Sequence, residues 1–147
     1  MDIRDFLIDP SSLDWDKLLA YWTPPLSPGA ILWFVNRLGE PFVLTPAGSV
    51  QWLIVGTGEI REIAPGREAF AKLLDVRSNA DEWLRITLVR ACGGGRQLAK
   101  DECLGFRVPP ALMGKYEPGN LLPTNIYSHY SWLAHTVKQD EIYWTGD

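Results

Sequence analysis

Residues 98–130, LAKDECLGFRVPPALMGKYEPGNLLPTNIYSHY, form the stretch around which the rest of this chain is organised, here called the central stretch. Glycines, the Pro109–Pro110 pair and Asn120 alternate there with apolar side chains. Proline fixes φ and removes a backbone donor, whereas glycine permits φ > 0 or a close backbone approach. So dense a mixture predicts irregular backbone held against a core by its own apolar side chains. The stretch contains no recognisable catalytic constellation.

Upstream, residues 30–64 carry the pattern of an antiparallel β-meander. Four largely apolar runs recur about every ten residues, with turns between them, at 31–35, 42–45, 50–55 and 59–64. This spacing is typical of strands that pair in sequence order. Ile60 and Ile63 lie three residues apart in the last run, so a bulge or a strand end is expected there.

Helical periodicity lies on both sides of these strands. Within Leu13–Trp22, apolar residues fall at i, i+3, i+4 and i+7, which predicts one buried helix face. Asn79 followed by Glu82 fits a capping box, and glycines are typical of helix C-termini. Further helices are therefore expected over 67–74, from Ser78–Asn79 to Gly93–Gly95, and over 127–138. The tail at 141–147 is expected to be frayed or to form a short strand.

These patterns predict a single α+β domain over residues 1–147. Its expected architecture is an antiparallel β-meander of about four or five strands, with helices packed on it before and after. The order of the runs shows no βαβ alternation, which argues against a doubly wound nucleotide-binding fold.

Composition restricts the class of partner. The net charge is −4 with 46% hydrophobic and 22% charged residues, an ordinary globular balance that excludes disorder. An acidic surface repels nucleic-acid phosphates and suits a cationic partner, and the basic residues are scattered among acids. No apolar run is long enough to span a membrane, and the N-terminus lacks a signal-peptide pattern. We therefore expect a cytoplasmic protein that binds neither nucleic acid nor membrane.

The residues that could carry chemistry do not form a known site. Gly93–Gly95 are followed by Arg96–Gln97, which does not fit a phosphate-binding loop. His129 and His135 lie six residues apart, on different faces of a helix, and Cys92 and Cys103 show no metal-ligand spacing. No G-x-S-x-G motif occurs. We therefore predict a protein that is not an enzyme and has no cofactor or metal. A cleft that gathers Glu102, Tyr116 and His129 would reverse this prediction.

A fixed order of residues in the central stretch resembles a known family. The order is Leu98, Glu102, Cys103, Gly105, Phe106, Arg107, Pro109, Pro110, Leu112, Gly114, Tyr116 and Asn120, followed by Ile126-Tyr127-x-His129-Tyr130-Ser131. It is similar to the C-terminal domain family of type VI secretion immunity proteins. The upstream order of strands and helices extends the resemblance to about residues 31–139. The chain departs from the usual pattern at Met113, where glycine is common, and at Asn125, where an acidic residue is common.

This resemblance implies a non-enzymatic immunity-type protein, a monomer or weak homodimer, that neutralises a cognate bacterial toxin by occluding it. The toxins that such immunity proteins neutralise include nucleases, which suit the acidic charge of this chain. Buried aromatic anchors within a polar rim are typical of such interfaces. The predicted partner-binding residues are therefore Asp14, Asp16, Trp22, Trp52, Glu59, Glu62 and Trp144. The alternative is a small-molecule-binding domain whose ligand lies near Gly105–Asn120.

Overall fold

The protein is described from a computed structural model that covers residues 2–93 and 98–145, with side chains as far as residue 137. Four strands form one antiparallel sheet in sequence order, which confirms the predicted meander. They are β1 (Ile31–Val35), β2 (Pro41–Leu44), β3 (Val50–Ile54) and β4 (Glu59–Ala64).

Helices lie before and after this sheet, which confirms the α+β class. They are α1 (Trp15–Ala20), α2 (Arg67–Leu74), α3 (Arg77–Leu84), α4 (Ile86–Ala91) and α5 (Ile126–Thr145). The central stretch is more regular than its composition suggests, because β5 (Glu102–Phe106) and β6 (Leu121–Asn125) pair in an antiparallel two-stranded sheet. Short 3₁₀ turns occupy Ile3–Phe6, Pro110–Leu112 and Pro118–Asn120.

Both outer hairpins of the meander contain a bulge. In the pairing of β1 with β2, Leu32 and Phe34 lie opposite consecutive residues of β2, so Trp33 has no partner in the register. In the pairing of β3 with β4, Glu62 and Ala64 lie opposite consecutive residues of β3, so Ile63 has no partner in the register. This confirms the irregularity expected from the isoleucine spacing.

The sheet is covered by apolar side chains on both faces. Alternate residues of β3 point to opposite sides, so Trp52 joins a cluster with Phe42, Phe70 and Trp83, whereas Leu53 joins the larger core. In the smaller cluster the rings of Phe42 and Trp52 are stacked, with centroids 5.8 Å apart. The larger core contains side chains of α1, α4, α5, β5 and β6. The four-stranded sheet therefore lies between these two hydrophobic clusters and contributes side chains to both.

Two helix predictions were wrong in detail. The helix expected from Ser78–Asn79 begins at Arg77, and Asn79 makes no capping box, because its side-chain amide donates to the Leu73 carbonyl at 3.0 Å. The helix is also not continuous up to the glycines, although its second part, α4, ends at Ala91, two residues before Gly93, where the sequence predicted a helix end. It breaks at Arg85, whose φ of 54° is left-handed, and α4 starts again at Ile86. Gly94 and Gly95 lie outside the described residues. The tail, expected to be frayed or a strand, continues α5 to Thr145.

The helix break at Arg85 accompanies a buried ion pair between Arg85 and Glu40. Arg85 donates from Nε and Nη2 to the two carboxylate oxygens of Glu40, at 3.1 and 3.0 Å, and Glu40 has no exposed surface. Asn36 completes the site, since its Nδ2 donates to Glu40 at 2.8 Å and to the Trp83 carbonyl at 2.9 Å. The guanidinium lies over the rings of Trp52 and Tyr116, at 5.3 and 4.3 Å from their centroids. The pair therefore joins the β1–β2 turn, the α3–α4 junction and the central stretch.

We expect Arg85→Met to lower the free energy of unfolding by about 3–5 kcal/mol, because it leaves the Glu40 carboxylate buried without a counter-ion. Urea denaturation at neutral pH measures the change. Arg61→Met is the matched control: Arg61 also lies over Trp52, at 5.6 Å, but its ion pair with Glu59 is half exposed. The control should lose no more than about 1 kcal/mol. Equal losses in the two variants would show that the buried pair has no special role.

Candidate partner-binding surface

The carboxylates predicted from the sequence lie on two elements of the fold, and all four residues are exposed. Asp14 caps α1, because its Oδ1 accepts from the Lys17 amide at 3.1 Å, and Asp16 follows in the first turn. Glu59 and Glu62 lie on β4. Asp14 therefore has a structural role, whereas Asp16 and Glu62 are open to a partner.

The predicted tryptophans are placed differently. Trp22 and Trp52 are each 1% exposed, and both belong to the core, where Trp22 packs edge-on against Tyr130 with ring centroids 6.0 Å apart. Neither offers a ring to an approaching protein. The side chain of Trp144 lies outside the described residues. Trp132, at 42% exposure, is an aromatic side chain that sequence reasoning overlooked, although the periodicity that turns Tyr130 and Leu133 inward leaves it outward.

An acidic face runs from β4 across α3 to the central stretch; we define it by Glu59, Asp81, Glu82 and Glu117. Arg61 links two of its members, with Nε 2.8 Å from Glu59 and Nη1 3.6 Å from Glu82. The hydrogen bond from Arg61 lowers the pKa of Glu59. All three side chains are about half exposed, so these pairs contribute little to stability and leave the carboxylates accessible.

A cavity of about 410 Å³ opens in this face, between the α3–α4 junction and Tyr116–Pro118. Asp81, Glu82 and Glu117 supply three carboxylates to its lining, and Arg85 supplies a guanidinium that is already paired with Glu40. Asp81 is held in place by Thr87, whose amide and hydroxyl donate to it at 2.8 and 3.1 Å. The lining is therefore negative overall, with one rigidly oriented acceptor.

Tyr116 lines this cavity and also belongs to the Gly105–Asn120 segment. The alternative hypothesis placed a small-molecule ligand near this segment. Burial raises the pKa of Tyr116, and the neighbouring Glu40 acts in the same direction. Elsewhere the segment packs tightly: a Cβ at Gly114 would lie 1.8 Å from the Val108 carbonyl oxygen, and one at Gly105 would lie 2.5 Å from the Thr124 hydroxyl.

Glu102, Tyr116 and His129 have separate surroundings. Glu102 accepts from the Ala99 amide at 2.9 Å, and Tyr116 lies against Arg85. His129 is 1% exposed, and neither of its ring nitrogens has a hydrogen-bond partner among the described residues. It lies against the rings of Phe106 and Trp132, and burial lowers the pKa of His129 to about 4. The imidazole is therefore neutral at physiological pH and surrounded by apolar groups.

Within residues 2–93 and 98–137, whose side chains the structure describes, no group of three or more His, Cys, Asp or Glu side chains could hold a metal ion. Cys92 and Cys103 are not joined by a disulfide, and burial raises the pKa of Cys103 to about 12. Among the described helices, none has the length and apolar character required to cross a bilayer.

His129 predicts a pH dependence of stability. Between pH 6.5 and about 4 the unfolded chain binds a proton that the folded chain does not, so stability falls as the pH falls through this window. The total effect is roughly 3 kcal/mol. His129→Leu should remove this part of the pH profile in urea denaturation, whereas the exposed His135→Gln should retain it. Parallel profiles for the wild-type chain and His129→Leu would contradict the assignment.

A comparison with known families finds a match. A family model described as "T6SS immunity protein Tdi1, C-terminal" matches residues 64–143, more than half of the 147 residues. The matched segment contains α2 to β6, the ion-pair residue Arg85, Tyr116 and most of α5, whereas the meander precedes it. No curated protein matches the chain.

Proposed function

The chain belongs to the T6SS immunity protein Tdi1 C-terminal family, and on this premise we propose that it neutralises one cognate bacterial toxin by binding to it and occluding its active site. The family match carries the proposal. The surface geometry supports it, because exposed carboxylates and apolar side chains suit recognition of another protein. We further propose that the chain has no catalytic activity and acts in the cytoplasm as a monomer or weak homodimer.

The charge of the chain favours a nuclease as the toxin. An enzyme that binds nucleic acid presents lysine and arginine to the phosphates. A partner with net charge −4 and an acidic face is attracted to such a surface, which accelerates encounter and opposes substrate binding. Asp81, Glu82 and Glu117, around the 410 Å³ cavity, are positioned to accept hydrogen bonds from basic side chains.

Co-expression tests the proposal. A candidate toxin, the product of the gene next to this chain's own gene, is expressed from an inducible promoter, with and without the chain. Growth should be restored only when the chain is present, and the two purified proteins should form a stable complex by isothermal titration calorimetry. Continued toxicity, together with an absence of measurable binding, would refute the proposal.

The acidic face predicts a kinetic effect. Glu82→Gln/Glu117→Gln should lower the association rate constant for the toxin by roughly 3- to 10-fold at low salt, because removing rim charges weakens steering more than it alters contacts. Surface plasmon resonance at two ionic strengths measures the effect, which should shrink at the higher one. Asp5→Asn/Glu68→Gln removes the same charge from exposed positions elsewhere. If this control slows association equally, the effect belongs to net charge and not to the acidic face.

A further inference from the structure

We propose that residues Arg107–Lys115, here called the apolar loop, form a pre-organised recognition element that inserts Met113 into an apolar cleft of the toxin, bordered by carboxylates. This inference rests on the proposed function and names the contact that carries it. Neither the family match nor the predicted partner residues assign such a role to the loop.

The exposure of the loop is the first observation. Met113 is 91% exposed, and Val108 and Leu112 are each 46% exposed, so three large apolar side chains face solvent within six residues. Single exposed apolar residues are ordinary on protein surfaces, but several together typically mark an interaction site. They lie on a tight turn, a shape that fits into a cleft.

The rigidity of the loop is the second observation. The buried Asn120 side chain accepts from the Val108 amide at 2.9 Å and donates to the carbonyls of Val108 and Lys115 at 2.8 and 2.9 Å. The Gly114 amide donates to the Pro109 carbonyl at 2.9 Å. The loop backbone is therefore fixed before any partner arrives.

The loop is also attached to the meander. The Ala111 amide donates to the Gly56 carbonyl at 3.0 Å, and a Cβ at Gly56 would lie 2.7 Å from the Pro110 ring. A loop fixed at both its base and its side loses little conformational entropy on binding, which favours affinity.

The backbone of Met113 is the third observation. Its φ of 74° lies in the left-handed region, which is unfavourable for any residue that carries a Cβ, unlike glycine. Among the residues that the structure describes, no packing inside the fold explains a methionine there, because the side chain is almost fully exposed. A flexible, polarizable methionine is well suited to filling an apolar pocket on another protein.

The charges at the two ends of the apolar loop indicate the chemistry of the cleft. Arg107 and Lys115 flank the apolar side chains, and both are exposed, on a chain that is otherwise acidic. A complementary cleft has apolar walls and a rim of carboxylates. The active site of a metal-dependent nuclease has such carboxylates, because they hold the divalent cation. The acidic face would then meet the basic phosphate-binding surface of the same toxin.

Two Met113 variants separate recognition from folding. Met113→Gly relieves the left-handed backbone, so its melting temperature should rise by about 2–4 °C. Its affinity for the toxin that the co-expression test identifies should nevertheless fall at least about tenfold, as should that of Met113→Asp. The matched control is Ile31→Asp, because Ile31 is 62% exposed at the start of β1 and should bind as the wild-type chain does.

The outcomes distinguish this inference from the function on which it rests. If the wild-type chain binds the toxin and both Met113 variants bind equally well, the apolar loop is not the recognition element, although the proposed function stands. If Ile31→Asp weakens binding as much as Met113→Asp, the loop has no special role either. If the wild-type chain does not bind the toxin, the proposed function fails and the inference fails with it.

Discussion

The fold depends on the ion pair between Glu40 and Arg85. A carboxylate with no exposed surface requires a counter-ion and hydrogen bonds, and Arg85 and Asn36 supply both. To reach Glu40, Arg85 takes a left-handed backbone, and this ends α3 and starts α4 in a new direction. Tyr116 covers the guanidinium, which attaches the central stretch to the meander. One buried charge therefore fixes the relation of three segments distant in sequence.

Elements governed by local pattern could be predicted from the sequence. The four strands, their order and the bulge at Ile63 follow from short apolar runs separated by turns, and α2 was predicted with the observed bounds. The break at Arg85 could not be found in this way, because arginine favours helices and lies within a periodic run. Its cause is Glu40, forty-five residues earlier, and no local pattern reveals such a partner. The pairing of β5 with β6 was missed for a different reason: each strand contains a residue that is unusual in strands, Gly105 in β5 and Pro123 in β6.

The candidate surface was less predictable, because exposure is a tertiary property. Composition suggested exposed acids, but it could not distinguish Asp14, which caps a helix, from Glu82, which faces a cavity. The buried positions of Trp22 and Trp52 follow from the general preference of large apolar residues for the core. Met113 had one signal in the sequence, its departure from a glycine that is usual in the resembled family. The left-handed φ explains why glycine would be the ordinary residue there.

The same buried groups that stabilise the fold also determine what its surface can do. Asn120 and Tyr116 both belong to the central stretch and have different roles: Asn120 fixes the apolar loop, and Tyr116 covers the ion pair beside the acidic cavity. A change at the ion pair would therefore alter the cavity, whereas a change at Met113 would leave both the pair and Asn120 in place. This separation allows the exposed residues of the loop to vary while the scaffold is preserved. A surface that can change without unfolding its support is well suited to specific recognition of another protein.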